Sequence, residues 1–144
     1  MLFRSALLGS GANLESYSSY GIPLGQAFQL RDDLLGVFGD SSETGKPSGD
    51  DLREGKRTAL IALAVEKLEN QNRFTQLFGK PDITNEEVIE LQGLIRSTGA
   101  PEKIESLIAE LTEQAISALR DDAITAEGKN MFNFLAALAT QRSK

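Results

Sequence analysis

Residues 26–40 read Gln26-Ala27-Phe28-Gln29-Leu30-Arg31-Asp32-Asp33-Leu34-Leu35-Gly36-Val37-Phe38-Gly39-Asp40. After a short polar loop, residues 45–58 read Gly45-Lys46-Pro47-Ser48-Gly49-Asp50-Asp51-Leu52-Arg53-Glu54-Gly55-Lys56-Arg57-Thr58. Leu24, Phe28, Leu34, Leu35 and Phe38 fall at positions that can pack inward from a helix. Two adjacent carboxylates, Asp32 and Asp33, stand inside that apolar run. Aspartate is a poor interior helix residue, by about half a kcal/mol against alanine. Burying an unpaired carboxylate costs far more. The pair therefore needs a compensating partner.

Gly25, Gln29, Asp32, Asp33 and Gly36 lie three and four residues apart and share one helix face. That face is polar in the middle and bare at both ends. Bare ends suit either close helix packing or room for a ligand over the carboxylates. The carboxylates have two readings as well. One is an ion pair with Arg31, or with a basic residue elsewhere, on a solvated face. The other is a divalent cation: adjacent aspartates, about 100° apart on a helix, aim oxygens at one metal or at two. Lys46 and Lys56 follow in a turn-forming, Gly-rich segment. They are either solvated loop charges or point charges that fold back over a metal-bound diphosphate. A Walker phosphate loop is excluded, because Pro47 follows Lys46, the glycine spacing is wrong, and a helix precedes the loop where a strand is required.

Working outward, Leu2, Phe3, Ala6 and Leu7 predict a short helix ended by Gly9-Ser10-Gly11. The central helix is expected to begin near Asn13 and to kink or break between Ser19 and Pro23, where proline removes a backbone donor. Residues from Thr58 to about Leu68 predict a helix that is apolar almost all round and hence buried. Glu69 to Asp82 is read as a loose stretch with one turn near Phe74 to Phe78. Thr84-Asn85-Glu86-Glu87 is a capping box opening a helix with a Val88, Leu91, Leu94, Ile95 stripe. Pro101 suits the first turn of the next helix, which carries Ile104, Leu107, Ile108, Leu111, Ala115, Ile116 and Leu119. Thr125 starts a last helix with Met131, Phe134, Leu135 and Leu138. The fold class is all-α, with roughly five or six helices.

Composition narrows the chemistry. The 144 residues are 40% hydrophobic with a formal net charge of −6, enough apolar content for a core and the wrong sign for nucleic acid. Cysteine and histidine are both absent. That leaves no disulfide, no thiolate nucleophile, no histidine triad and no ordinary zinc site. A metal would be held by oxygen, which points to magnesium, manganese or calcium. No apolar run reaches the roughly 18 residues of a spanning helix, and the expected setting is the cytoplasm.

The stretch from Phe28 to Asp40, followed by Gly45-Lys46-Pro47-Ser48-Gly49 and by Asp51-Leu52-Arg53-Glu54-Gly55-Lys56-Arg57-Thr58, resembles the second aspartate-rich region of the trans-type isoprenyl diphosphate synthases. These are the polyprenyl synthetases that make geranylgeranyl, farnesyl and longer diphosphates. Its Asp-Asp-Leu-Leu-Gly-Val-Phe-Gly-Asp form is similar to that of actinobacterial members. The resemblance implies the isoprenoid synthase helical fold, with aspartate-rich motifs facing one another across a cavity. It implies magnesium bridging those motifs to an allylic diphosphate, which ionises and is attacked by isopentenyl diphosphate. By the same resemblance Asp32 and Asp33 are the metal ligands, and Gln29 contacts the metal–diphosphate assembly. Lys46 and Lys56 bind diphosphate, and Asp32, Asp33 and Lys46 carry the catalysis. A geranylgeranyl-type product and a homodimeric parent enzyme are expected.

Two departures qualify the match. The family pattern is often Asp-Asp-x-x-Asp, but the fifth position here is Gly36, leaving water or Asp40 to replace a ligand. The first aspartate-rich motif is absent, so residues 1–144 are expected to be the C-terminal half of a synthase and inactive alone. Apolar surface that the other half covers would then be exposed. The alternative is a non-catalytic helical subunit that modulates a full-length prenyl synthase. A terpene cyclase relative ranks last, since the Gly-Lys-Pro-Ser-Gly loop is more similar to the chain-elongating enzymes.

Overall fold

The computed structural model describes residues 14–39, 47–69, 71–119 and 125–141; they form seven helices, with no strand among the described residues. These are α1 (Leu14–Phe38), α2 (Asp50–Glu54), α3 (Ala59–Lys67), α4 (Gln71–Leu77), α5 (Asn85–Ser97), α6 (Ala100–Ala118) and α7 (Ala126–Thr140). The all-α class is the one the sequence predicts. The short helix expected at Leu2 to Leu7 lies outside the described residues. No helix among the described residues is long and apolar enough to cross a membrane. The chain divides into two compact units, one within Met1–Phe28 and Ile108–Arg142, the other built on Gln29–Leu107.

The Gln29–Leu107 unit carries the aspartates. Its core includes the fully buried side chains of Val37, Leu52, Leu60, Leu77, Leu91, Ile95 and Ile104. Helix α5 is the common partner, packing on α2, α3 and α4. It starts where predicted. Thr84 Oγ1 accepts from the Glu87 N–H at 3.2 Å and the Thr84 N–H donates to Glu87 Oε2 at 3.0 Å, a reciprocal cap. Its buried face is Val88, Leu91 and Ile95.

Three local readings need correction in this unit. The turn-forming segment Gly39 to Lys56 contains a helix, α2, one turn long. It is held from a distance: Arg53 donates to the Ile83 carbonyl at 3.1 Å and to Asn85 Oδ1 at 2.6 Å. Between Glu69 and Asp82 the chain forms the seven-residue helix α4, with Phe74 and Leu77 buried. Helix α3 is not buried all round. Leu60, Ile61 and Ala64 are buried, whereas Ala59 and Ala62 face water, because alanine leaves little apolar area to hide.

In the other unit Tyr20, Ala115 and Leu119 form a small core with Leu24, Ala118 and Phe132 packed against it. The Tyr20 hydroxyl donates to the Phe132 carbonyl at 2.7 Å. Of the kink or break expected near Ser19 to Pro23, the break does not occur: α1 is continuous from Leu14 to Phe38. Tyr20, Pro23 and Ala27 are all buried, at positions i, i+3 and i+7 of one stripe, so packing offsets the donor that proline lacks. Helix α7 also departs from expectation. It buries Ala136 and Thr140, while Met131, Phe134, Leu135 and Leu138 are 44–61% exposed.

Candidate functional site

Helix α1 places Asp32 and Asp33 one residue apart, and the fold treats them differently. Asp32 is half-buried, whereas Asp33 is 4% exposed. The Asp33 carboxylate is compensated by protein donors. Its Oδ1 accepts from Gln29 Nε2 at 3.2 Å, one turn earlier on the same helix. Its Oδ2 accepts from the Ala59 N–H at 3.3 Å, at the first residue of α3. Thr58 Oγ1 accepts from Ile61 N–H in the same turn, so α3 is capped from within and from α1. A carboxylate is favoured there by the helix dipole. Each Asp33 oxygen keeps acceptor capacity beyond the bond it makes.

Arg31, the ion-pair candidate nearest in sequence, is 9% exposed and forks onto Glu105, with Nη1 and Nη2 at 2.8 and 2.7 Å from the two carboxylate oxygens. It lines a cleft of about 290 Å³ together with Leu34, Leu35, Phe38, Arg96 and Pro101. Arg96 lies over the Phe38 ring, 4.7 Å from its centroid.

Lys56 follows α2. Gly55 ends that helix with φ 66°, a left-handed conformation that glycine adopts without penalty. An added Cβ there would stand 3.0 Å from Gly79 Cα, so the turn is also pressed against a second backbone. The Lys56 Nζ lies 3.1 Å from Asp51 Oδ2. That hydrogen bond is the main cause raising the Lys56 pKa, opposed by burial, with smaller contributions from the charges of Asp51, Asp33 and Glu54. Lys46 and Asp40 lie outside the described residues.

The face drawn from sequence is therefore only partly one site. Gln29 and Asp33 meet directly, and Lys56 lies within the field of Asp33. Gly25 has open space beside it, but the room at Gly36 is filled by protein: an added Cβ would stand 2.3 Å from Asp51 Oδ2. Two participants escape the sequence reading. Asp51 is 6% exposed although it opens a polar helix next to Asp50. Gln92 donates to the Val37 carbonyl at 2.7 Å and to Ser48 Oγ at 3.2 Å, tying α5 to the end of α1 and to the loop before α2. Nothing in the sequence reading marked either.

The donors on α1 are all oxygen, and among the described residues no three acidic side chains group as a ligand set. Two carboxylates suit a hard cation that retains waters and takes its remaining ligands from a phosphate. Paired aspartates on one helix and a lysine held after the helix that follows are the features through which the sequence resembles the polyprenyl synthetases. The chain is a member of the polyprenyl synthetase family, whose profile matches residues 2–95. It is 36% identical to a geranylfarnesyl diphosphate synthase of Aeropyrum pernix, over 94% of this chain and 43% of that protein. It is 30% identical to a geranylgeranyl diphosphate synthase of Saccharolobus solfataricus, over 100% of this chain and 46% of that one. A crystal structure of geranylgeranyl pyrophosphate synthase from Corynebacterium glutamicum, complexed with isoprenyl diphosphate and magnesium, superposes with a TM-score of 0.84 at 42% identity. That match covers 90% of this chain and 37% of the other. The chain thus spans less than half the length of these relatives.

Proposed function

We propose that this chain carries the C-terminal, diphosphate-gripping half of a polyprenyl diphosphate synthase, which condenses an allylic diphosphate with isopentenyl diphosphate. In this reading Asp32 and Asp33 hold magnesium, Gln29 orients Asp33, and Lys46 and Lys56 take the diphosphate oxygens. Magnesium, when bound, supplies positive charge that makes diphosphate a better leaving group. The residues of the chain prepare for that. Asp33 is fixed by Gln29 and by the start of α3, so its carboxylate needs no reorganisation. Lys56 is charged and held close to α2, ready to donate to a phosphate oxygen. A geranylgeranyl-type product is our reading, supported by the relatives from Saccharolobus and Corynebacterium, while the Aeropyrum relative is a geranylfarnesyl diphosphate synthase.

The observation that carries the proposal is the arrangement of Asp33, buried between Gln29 and the α3 N-terminus, in the field that acts on Lys56. Calorimetric titration with inorganic pyrophosphate tests it. Binding is expected with magnesium, is expected to vanish in EDTA, and is expected to weaken about tenfold in Asp32→Ala and in Lys56→Ala. Equal binding with and without magnesium, or affinity untouched by both substitutions, overturns it. A radiolabelled prenyl-transfer assay on the chain alone is expected to show no turnover.

A further inference from the structure

We propose that Asp51 is the positioning residue for Lys56, and that Gly36 on α1 provides the seat in which the Asp51 carboxylate sits. The inference rests on the reading of Lys56 as a diphosphate-binding lysine.

The geometry is specific. An added Cβ at position 36 would stand 2.3, 2.4 and 2.8 Å from Asp51 Oδ2, Cγ and Oδ1. The carboxylate therefore occupies the volume that any side chain at position 36 would need. Its own side chain is 8% exposed, while that of Lys56 is 47% exposed. A buried carboxylate is retained only with a partner, and Lys56 Nζ is that partner at 3.1 Å. The backbone repeats the connection, since the Lys56 N–H donates to the Asp51 carbonyl at 2.9 Å. Lys56 is thus tied to Asp51 twice, through a turn fixed by Gly55.

The chemical consequence concerns the ammonium. A lysine ammonium has three donors. One goes to Asp51, leaving two for a ligand while the long stem is held in one place. An untethered lysine would lose rotamer freedom on binding, and preorganisation removes that loss. Gly36 then reads as more than a missing ligand of the Asp-Asp-x-x-Asp pattern. It is the opening through which an acid on α2 reaches the α1 face and aims a lysine.

Two measurements on the full chain test this. The first is selective acetylation of lysines followed by peptide mass spectrometry, without any ligand. Asp51→Asn and Gly36→Ala are each expected to raise labelling at Lys56 by at least about twofold, with Lys67 and Lys103 unchanged. Unchanged labelling of Lys56 in Asp51→Asn overturns the proposal. The second is magnesium-pyrophosphate affinity in a double-mutant cycle. Asp51→Asn is expected to weaken binding about two- to tenfold when Lys56 is present, and to have no effect in Lys56→Ala. An equal loss in both backgrounds would mean that Asp51 acts independently of Lys56, and the proposal fails. If the parent chain binds no pyrophosphate, the diphosphate reading of the site falls, and the labelling experiment still decides whether Asp51 and Gly36 position Lys56.

Discussion

Replacing Asp33 with alanine tests the structural support its carboxylate gives to the start of α3. Asp33→Ala removes the acceptor for the Ala59 N–H and for Gln29 Nε2. The first lies at the start of α3, and both bonds are partly buried. A hydrogen bond to a charged group contributes about 1.5–3 kcal/mol, and an unsatisfied buried donor costs about 1–3 kcal/mol. Both bonds are long, at 3.2 and 3.3 Å, so the low end applies to each. The exposed Gln29 regains water, and alanine recovers about half a kcal/mol of helix propensity. The expected net loss is about 2 kcal/mol, up to roughly 30-fold in the folding equilibrium. Urea unfolding followed by circular dichroism at the helix band measures the loss. An Asp33→Ala chain as stable as the parent would falsify the assignment of Asp33 as the cap that joins α1 to α3.

The other predictions test separate parts of the structure. Thr84→Ala removes half of a reciprocal cap and is expected to cost about 1 kcal/mol in thermal or urea unfolding. Phe134→Ser lies on the exposed side of α7 and is expected to change stability by no more than about 0.5 kcal/mol, while lowering any concentration-dependent association seen by sedimentation. Lys56 has a folded pKa above its ordinary 10.5, so its contribution is fully present below that value and is lost as pH rises through the folded pKa. Unfolding measured above pH 10.5 should therefore show an alkaline fall in stability that is flatter in Asp51→Asn.

Much of this fold is legible in sequence because its punctuation is local. Thr58, Thr84 and Thr125 each cap the helix they announce, through a side-chain oxygen three residues from the amide it accepts. What is not legible depends on distant partners. Helix α2 is one turn between Gly49 and Gly55, a composition that signals a loop, and it is secured by Arg53 and by contact with α5. Helix α7 has large apolar residues on one side and Phe132, Ala136 and Thr140 on the other. Hydrophobic spacing favours the larger set, yet the side with Phe132 is the more buried, with Ala136 and Thr140 small enough for close packing. At the site, Asp32 and Asp33 could be singled out by their apolar surroundings. The burial of Asp51 could not be, because an Asp-Asp pair opening a polar segment normally faces water.

The charges on α1 and α2 carry a consequence for ligand binding that no single residue shows. Asp51, Asp33 and Glu54 all act on Lys56. The charges that act on that ammonium are carboxylates, although the proposed ligand is itself a polyanion. In the proposed site those carboxylates would repel an approaching diphosphate, and a low local dielectric would strengthen the repulsion. Affinity for diphosphate is therefore expected only once a divalent cation is bound, with Lys56 adding to that attraction. Raising magnesium should accordingly increase pyrophosphate affinity until the carboxylates are saturated, whereas neutralising Asp32 with asparagine should leave a weaker interaction that depends less on magnesium. Tight pyrophosphate binding to the parent chain in EDTA would contradict this account of the site.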